Sequence, residues 1–388
     1  MSDVVIVGGG IIGAACAHEL TRAGASVTLI ERDELAAGAS GRNQGWFVVP
    51  TDPLLEPMAN ATLPVYLAIA DAAPLPVWID RVPVGHLLVT LDDDTETELL
   101  ASATARGVQV DTLGPPELLA IEPALTPDVR GGWLLHQGHR LDPASLTVAF
   151  ALLAQAAGAE IRHHLHVRAL IEEGGTIRGV VTDEGRIEAD CVIVAAGPWS
   201  TGLLSPIGVR LEITGARGWI VRVAPRPGLL SHPIEQGGWR EDPQRAAAVA
   251  PPNAGDIAMD GPPPAEVGAL LHLHRDGTVL IGSSRQAWVT PEPEDPHVPE
   301  RQLRAAIRLM PALAEAPLLS SWWGLRPMTP DERPMVGRVA DGLIIATGHG
   351  SEGVILGAGT AQLVASLILG GEPPFDPTPF EPMRFETT

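Results

Sequence analysis

Three glycines and one carboxylate near the start of the chain are spaced to hold a pyrophosphate and a sugar diol. In VVIVGGGIIGAACAHELTRAGASVTLIER, residues 4 to 32, Gly8 permits a tight turn out of a strand. Gly10 lets the backbone approach a phosphate, and Gly13 lets a helix pack closely on the sheet. The helix expected from about Ile11 to Ala23 points the N–H groups of its first residues, Ile11 and Ile12 among them, and its positive dipole end at that phosphate. Glu31 closes the second strand 21 residues after Gly10, where a carboxylate can accept hydrogen bonds from a ribose diol. The set predicts a bound dinucleotide, and by itself it does not separate NAD from FAD.

Other side chains are weighed for acid–base, covalent or metal chemistry. His163, His164 and His166 sit in a strand-like run, where residues two apart share a face, but no carboxylate or cysteine completes a recognisable metal spacing, so no metal is expected. His272 and His274 share a strand face; one could take a proton from an amine near neutral pH, or both could face solvent or serve structure. Cys16 and Cys191 read as small buried residues, with no disulfide framework. All 26 cationic side chains are arginine. A chain without lysine has no Schiff-base nucleophile, which excludes a pyridoxal-phosphate enzyme. The formal charge of −21 argues against a nucleic-acid partner, which would need a basic face.

The elements that must carry these residues follow from periodicity. The 388 residues allow two cores or one large one, with ordinary globular composition. No apolar run approaches the ~20 residues of a membrane span, and the glycine motif lies too close to Met1 for a signal peptide, so a cytoplasmic protein is expected. After a small-residue loop at 34 to 50, residues 64 to 80 read as helix, 85 to 91 as strand, 94 to 105 as helix and 133 to 142 as strand and turn. Residues 143 to 157 are helical with proline at the first position. Strands follow at 159 to 173, 176 to 184 and 186 to 197, the last ending in AAGPWS, a second glycine turn suited to close cofactor approach through Ala196, Gly197 and Trp199. Residues 211 to 222 read as strand, 224 to 264 as long loops that could form a lid, and 269 to 284 as a hairpin turning at Asp276 and Gly277. A helix at 299 to 313 and a strand at 320 to 325 precede GLIIATGHGSEGVILGAGTAQLVASLIL, again strand, glycine turn and helix.

Taken together, GGGIIG with Glu31, GASGRNQG at 38 to 45, AAGPWS, WWGLRPMTPDERPMVG at 322 to 337 and TGHGSEGVILGAGT at 347 to 360 resemble the FAD-dependent amine and amino-acid oxidases that include glycine oxidase, D-amino-acid dehydrogenase and the sarcosine oxidase beta chain. The resemblance covers nearly the whole chain and implies an α/β protein. A Rossmann-type FAD-binding domain would comprise residues 1–80, 141–206 and 321–388, and an α+β substrate domain on a mostly antiparallel sheet would comprise 81–140 and 207–320. It implies that Glu31 holds the adenosine ribose, that Arg32 and Ser40 lie near adenine and phosphates, and that Val167 offers its backbone to adenine. Arg42, Asn43, Gln44 and Gly45 would pass beside the isoalloxazine. Gly348, Gly350, Ser351, Glu352, Gly353, Val354 and Ile355 would line the flavin ring and ribityl chain, with Glu352 a turn residue rather than a base.

The implied reaction oxidises a small amino acid, primary or N-substituted, to the imine by hydride transfer to flavin N5, with hydrolysis afterwards. Arg326 would grip the substrate carboxylate through its guanidinium fork; the alternative is a structural arginine paired with Asp331. Where glycine oxidases carry a second arginine this chain has Ser351, so Arg285 could replace that partner or could be an exposed strand-end residue. Leu280 stands where monomeric sarcosine oxidases use a lysine, and Gly324 and Leu141 stand at two covalent-attachment positions, which implies noncovalent FAD. The resemblance leaves open 2-hydroxy-acid oxidation on the same fold, a flavin-bearing subunit of a multi-subunit dehydrogenase, and a homo-oligomer.

Overall fold

The computed structural model describes residues 3–92, 97–224, 228–237, 265–286 and 295–385. Most of the stretch 224 to 264, with its expected loops and lid, lies outside the described residues. The apolar run at Asp3–Val7 is the centre of a six-stranded sheet in the order Met335–Ala340, Leu343–Thr347, Cys191–Val194, Asp3–Val7, Ser26–Ile30, Glu160–Arg162. All neighbours are parallel except the Met335–Ala340 edge, which runs antiparallel to Leu343–Thr347. Because strand side chains alternate, each central strand feeds two cores. Val4, Ile6, Cys191, Ile193, Ile344 and Ala346 face a helical layer. Val5, Val7, Val192, Val194, Leu343 and Ile345 face the opposite layer.

The helical layer contains Ile11–Arg22, Glu56–Ala72, Pro143–Ala156 and Gly353–Leu369. The opposite face is covered by the antiparallel meander Val167–Glu173, Thr176–Thr182, Gly185–Glu188. This meander corrects the reading of 159 to 173 as one strand. Arg162 ends the parallel sheet, Val167 begins the meander, and His164 between them adopts φ +57°. The histidines therefore share no strand face. The second helix begins eight residues earlier than expected and carries Pro64 inside it; it ends at Ala72, before Pro74 and Pro76.

The remaining strands form an eight-stranded sheet in the order Leu318–Met328, Thr214–Val223, Val279–Arg285, Glu266–Leu273, Ile234–Gln236, His86–Thr90, Gly131–Leu135, Val110–Leu113. Every pairing is antiparallel except Ile234–Gln236 with His86–Thr90. The helix Val298–Leu309 packs on one face over a core that includes Leu87, Val221, Leu271 and Ile281. Leu318–Met328 runs across the position 321 where a boundary was expected and pairs along the full length of Thr214–Val223.

Asp142 starts the helix Pro143–Ala156 by accepting hydrogen bonds from the N–H groups of Ala144 and Ser145 at 3.1 and 3.3 Å. The same segment hydrogen-bonds to the 78 to 80 chain and to Gly45. Asp142→Ala is expected to destabilise the protein by about 1 kcal/mol. The check is a lower denaturant midpoint at an unchanged slope.

Candidate active site

A cavity of about 1120 Å³ runs from the turn after Asp3–Val7 to the start of Gly353–Leu369, and from there under the eight-stranded sheet. At its nucleotide end Gly8 has φ +118°, and a Cβ on Gly13 would lie 1.9 Å from the Gly8 carbonyl oxygen, so glycine alone permits this helix-to-strand approach. Gly8, Gly10, Ile11 and Ile12 line the cavity. Gly13 does not; it sets the packing behind the turn. The Glu31 carboxylate accepts from Gly9 N at 2.6 Å and from Asp33 N at 2.9 Å, which fixes it in the cavity wall. Ser40 Oγ accepts from Ile11 N at 2.9 Å. Arg32 lies 4.0 Å over the Trp199 ring and 3.1 Å from Asp33, and Arg32, Trp199, Ala196, Gly197 and Val167 line the same end.

The loop 38 to 45 is pinned residue by residue. Arg42 donates to Ala37 O and to Trp323 O, and Asn43 donates to Ala39 O and Ser40 O while accepting from Gly45 N. Gln44 Nε2 donates to Leu270 O in the eight-stranded sheet at 3.0 Å. Gly45, with φ +74°, leaves no room for a Cβ against Leu141 O. Arg42, Asn43, Gln44 and Gly45 all face the cavity.

At the far end, Gly350, Ser351, Glu352, Gly353, Val354 and Ile355 line the cavity where the last helix begins, so the positive end of its dipole borders the space. Gly348 is not in the wall; a Cβ there would press on Thr329. Tyr66 Oη donates to Val354 O at 2.8 Å and braces the first turn. His349 is buried, its Nε2 3.0 Å from Thr360 Oγ1, and burial pulls its pKa down to about 3.

Arg326 lines the cavity and donates from Nη1 to Ser284 O at 3.1 Å. Its guanidinium lies over Gly218, where a Cβ would stand 2.1 Å from Nη1. Burial, then the nearby Arg285 charge, push its pKa down to about 10, which leaves it charged at neutral pH. The Asp331 alternative is corrected: Asp331 is occupied by Arg384, at 2.7 and 2.9 Å. Among the described residues no carboxylate forms an ion pair with Arg326. Arg285 lies outside the cavity wall, paired with Glu332 at 2.7 Å and with Nη2 3.6 Å from Met328 Sδ.

His272 is placed differently from the acid–base reading. It is 1% exposed, packs edge-on against Trp46 and Trp78, and lies outside the cavity wall. Burial, with Arg140 adding to it, pulls its pKa down to about 3, far from a base poised near neutrality. Of the tryptophan pair, Trp323 lines the cavity and Trp322 does not. Cys16 and Cys191 are buried and free, with burial pushing the thiols up to about 12 and about 11.

The structure adds residues that the sequence did not reveal. His86 lines the cavity with its Nε2 3.1 Å from Glu235 Oε2; both side chains are buried, and the His86 ring stands edge-on to Trp46. No motif marks either residue, and Glu235 falls in the stretch read as loops. Gly218, Ile220, Leu270 and Ser283 complete this wall. Trp46 Nε1 and Ser283 Oγ are buried in it without a hydrogen-bond partner among the described residues. Polar atoms in that state are met by an ordered water or by a polar group of a bound ligand.

The fold and cavity define a dinucleotide-binding protein whose cofactor groove continues beneath a second sheet. Residues 3–367 match the family model for FAD dependent oxidoreductases, and the chain belongs to that family. It is a flavoenzyme with FAD as cofactor. The groove fits that group: glycine-lined at the pyrophosphate turn, bordered by two helix N-termini, and larger than most small-molecule pockets. The chain is 29% identical over 393 residues to the glycine oxidase of Pseudomonas aeruginosa, covering 98% of each chain. It is 26% identical to a D-amino acid dehydrogenase of Rhizobium johnstonii, over 96% of this chain and 97% of that one. The crystal structure of glycine oxidase from Bacillus cereus superposes with TM-score 0.81 at 26% identity over 96% of both chains. No helix among the described residues is long and apolar enough to cross a membrane.

Three buried histidines, His18, His272 and His349, have pKa values lowered from 6.5 to about 4, 3 and 3. The unfolded chain takes up these protons as pH falls through 6.5 while the folded chain does not, so their contribution to stability is complete above that pH and lost progressively below it. Unfolding midpoints are expected to fall between pH 7 and pH 5. His349→Gln, which can keep a bond to Thr360, should flatten that slope in a pH series of denaturant titrations.

Proposed function

We propose that the protein oxidises the CH–NH bond of a small amino acid, primary or N-substituted, to the imine, which water hydrolyses to a keto acid and an amine or ammonia. The observation that carries this reading is Arg326, a charged guanidinium in the cavity wall that forms no ion pair with a carboxylate among the described residues. A planar fork of this kind binds a carboxylate through two parallel hydrogen bonds. The names of the relatives, glycine oxidase and D-amino acid dehydrogenase, support the same substrate class.

Bound FAD supplies the two-electron oxidant. The protein's part is orientation: with the carboxylate on Arg326, the α carbon is held between the eight-stranded sheet and the groove lined by Arg42 to Gly45 and Gly350 to Ile355. Positive charge development at nitrogen is favoured when the amine enters neutral, and the apolar members of the wall, Ile220 and Leu270, limit water at that point. The helix starting at Gly353 offers positive potential to negative charge accumulating beside it. In this reading the six-stranded sheet with its helices carries FAD and the eight-stranded sheet carries the substrate.

The test is anaerobic mixing of the FAD-loaded protein with glycine, sarcosine, proline and a panel of D-amino acids, with 2-hydroxy acids as a parallel set. Bleaching by the amines is expected; bleaching by hydroxy acids alone overturns the reading. Arg326→Ala should retain the oxidised flavin spectrum while half-saturation rises at least about 100-fold, the scale of breaking a buried charge pair. Gly218→Ala, which displaces the guanidinium without removing it, should raise half-saturation in the same direction with the flavin spectrum unchanged. An Arg326→Ala variant that bleaches at wild-type concentrations would show that this arginine holds no carboxylate.

A further inference from the structure

The acidic residue missing from the histidine run comes from elsewhere in the chain. Glu34 Oε1 lies 2.9 Å from His164 Nε2, and Glu34 Oε2 lies 3.6 Å from His163 Nδ1. The three potential ligand atoms fall within 4.8 Å of one another. In a tetrahedral site with arms of about 2.1 Å, ligand atoms stand about 3.4 Å apart, so a set already within 4.8 Å closes onto an ion by small side-chain rotations. Consecutive side chains on an extended strand point to opposite faces, and these two converge because His164 takes the left-handed conformation, φ +57°. Histidine in that conformation, where glycine is the usual choice, aims an imidazole at Glu34.

The site is also held in place before any ligand arrives. His164 N donates to Asp33 O, Leu165 N to Glu31 O, and Glu31 N to Arg162 O, so the two segments are stitched together on either side of the triad. Among the described residues no arginine competes for the Glu34 carboxylate. All three side chains reach solvent, which leaves an open path and room for water as the remaining ligand. Two imidazoles and one carboxylate suit a borderline divalent ion such as Zn2+ and disfavour Mg2+ or Ca2+, which prefer all-oxygen shells. Glu34 and His164 also line the nucleotide end of the groove beside Glu31 and Val167.

We propose that Glu34, His163 and His164 bind a zinc-class divalent cation that staples together the two chain segments forming the nucleotide end of the FAD groove, and thereby slows FAD release. The earlier expectation of no metal rested on local spacing, which cannot register a ligand contributed about 130 residues away. The experiment uses the FAD-loaded protein stripped of metal with a chelator and then titrated with Zn2+ by calorimetry, with Co2+ absorption reporting the donor set. One Zn2+ per chain is expected. Glu34→Gln and His164→Asn should each weaken binding at least as much as the ~10–100-fold that changes around metal ligands produce. FAD release, followed by flavin fluorescence on dilution, should slow on adding Zn2+ to the wild type and stay unchanged in both variants. The flavin spectrum confirms folding of these surface variants, and the His163→Asn, His164→Asn double variant accounts for other histidines. Equal Zn2+ affinity in wild type and double variant, or no binding by either, overturns the site. Binding at the triad that leaves FAD release unchanged overturns the staple.

Discussion

One strand, Leu318–Met328, joins the cofactor groove to its roof through two backbone acceptors. Trp323 O accepts from Arg42 in the loop that follows the nucleotide turn, and Pro327 O accepts from Gly350 N in the turn before the last helix. Both donors belong to segments that continue into the six-stranded sheet or its helices, whereas the acceptors belong to the eight-stranded sheet. Arg326 lies between the two acceptors. Its distance from the groove is therefore set by hydrogen bonds that also position the groove's own loops, and a shift of the roof would move all three together. Gln44 adds a third tie, to Leu270, from the same loop.

The electrostatics follow from that placement. Neighbouring arginines are matched with acids: Arg384 with Asp331, Arg285 with Glu332, Arg333 with Asp52. Arg326 has the Ser284 carbonyl instead and is half-buried, and desolvation takes part of its basicity. A desolvated cation whose hydrogen-bond partner is a neutral oxygen is costly, and an incoming anion offsets that cost more fully than the more distant charges of Glu332 and Glu352 do. The nearby Arg285 charge makes the same point from another direction. It raises the potential around Arg326 while its own charge is spent on Glu332.

Much of the architecture was legible because the signals were local. The turn at Gly8 to Gly13 and the acid at Glu31 are separated by one helix and one strand, so spacing alone orders them. The helix after Asp142 is announced by its apolar spacing and first-position proline, and the hairpin by Asp276 and Gly277. What stayed hidden depends on contacts between distant segments. His163 to His166 read as strand because their residue types permit it; the break arises where one chain leaves the parallel sheet for the meander. The partner of Asp331 is 53 residues away in Arg384, and His86 meets Glu235 across a strand pairing that no local pattern encodes. His272 was placed on the right strand and shares the groove-facing side with Leu270, but Trp46 and Trp78, from other elements, cover it.

Glycine shows the same division between local and distant causes. In the nucleotide turn the residue is needed for its dihedral angles, a property of one position. In the eight-stranded sheet it is needed for missing volume. Gly218 leaves space for the Arg326 guanidinium, Gly282 for the amide of Gln44, and Gly324 for the stem of Arg42. None of these three has a positive φ, so missing volume rather than a left-handed dihedral angle is what glycine supplies there. Two of them receive side chains from the loop 38 to 45, which makes the roof and the groove interlock across the cavity rather than merely face each other. A sheet glycine of this kind carries no motif of its own, and its meaning emerges only when the side chain that fills its place is known.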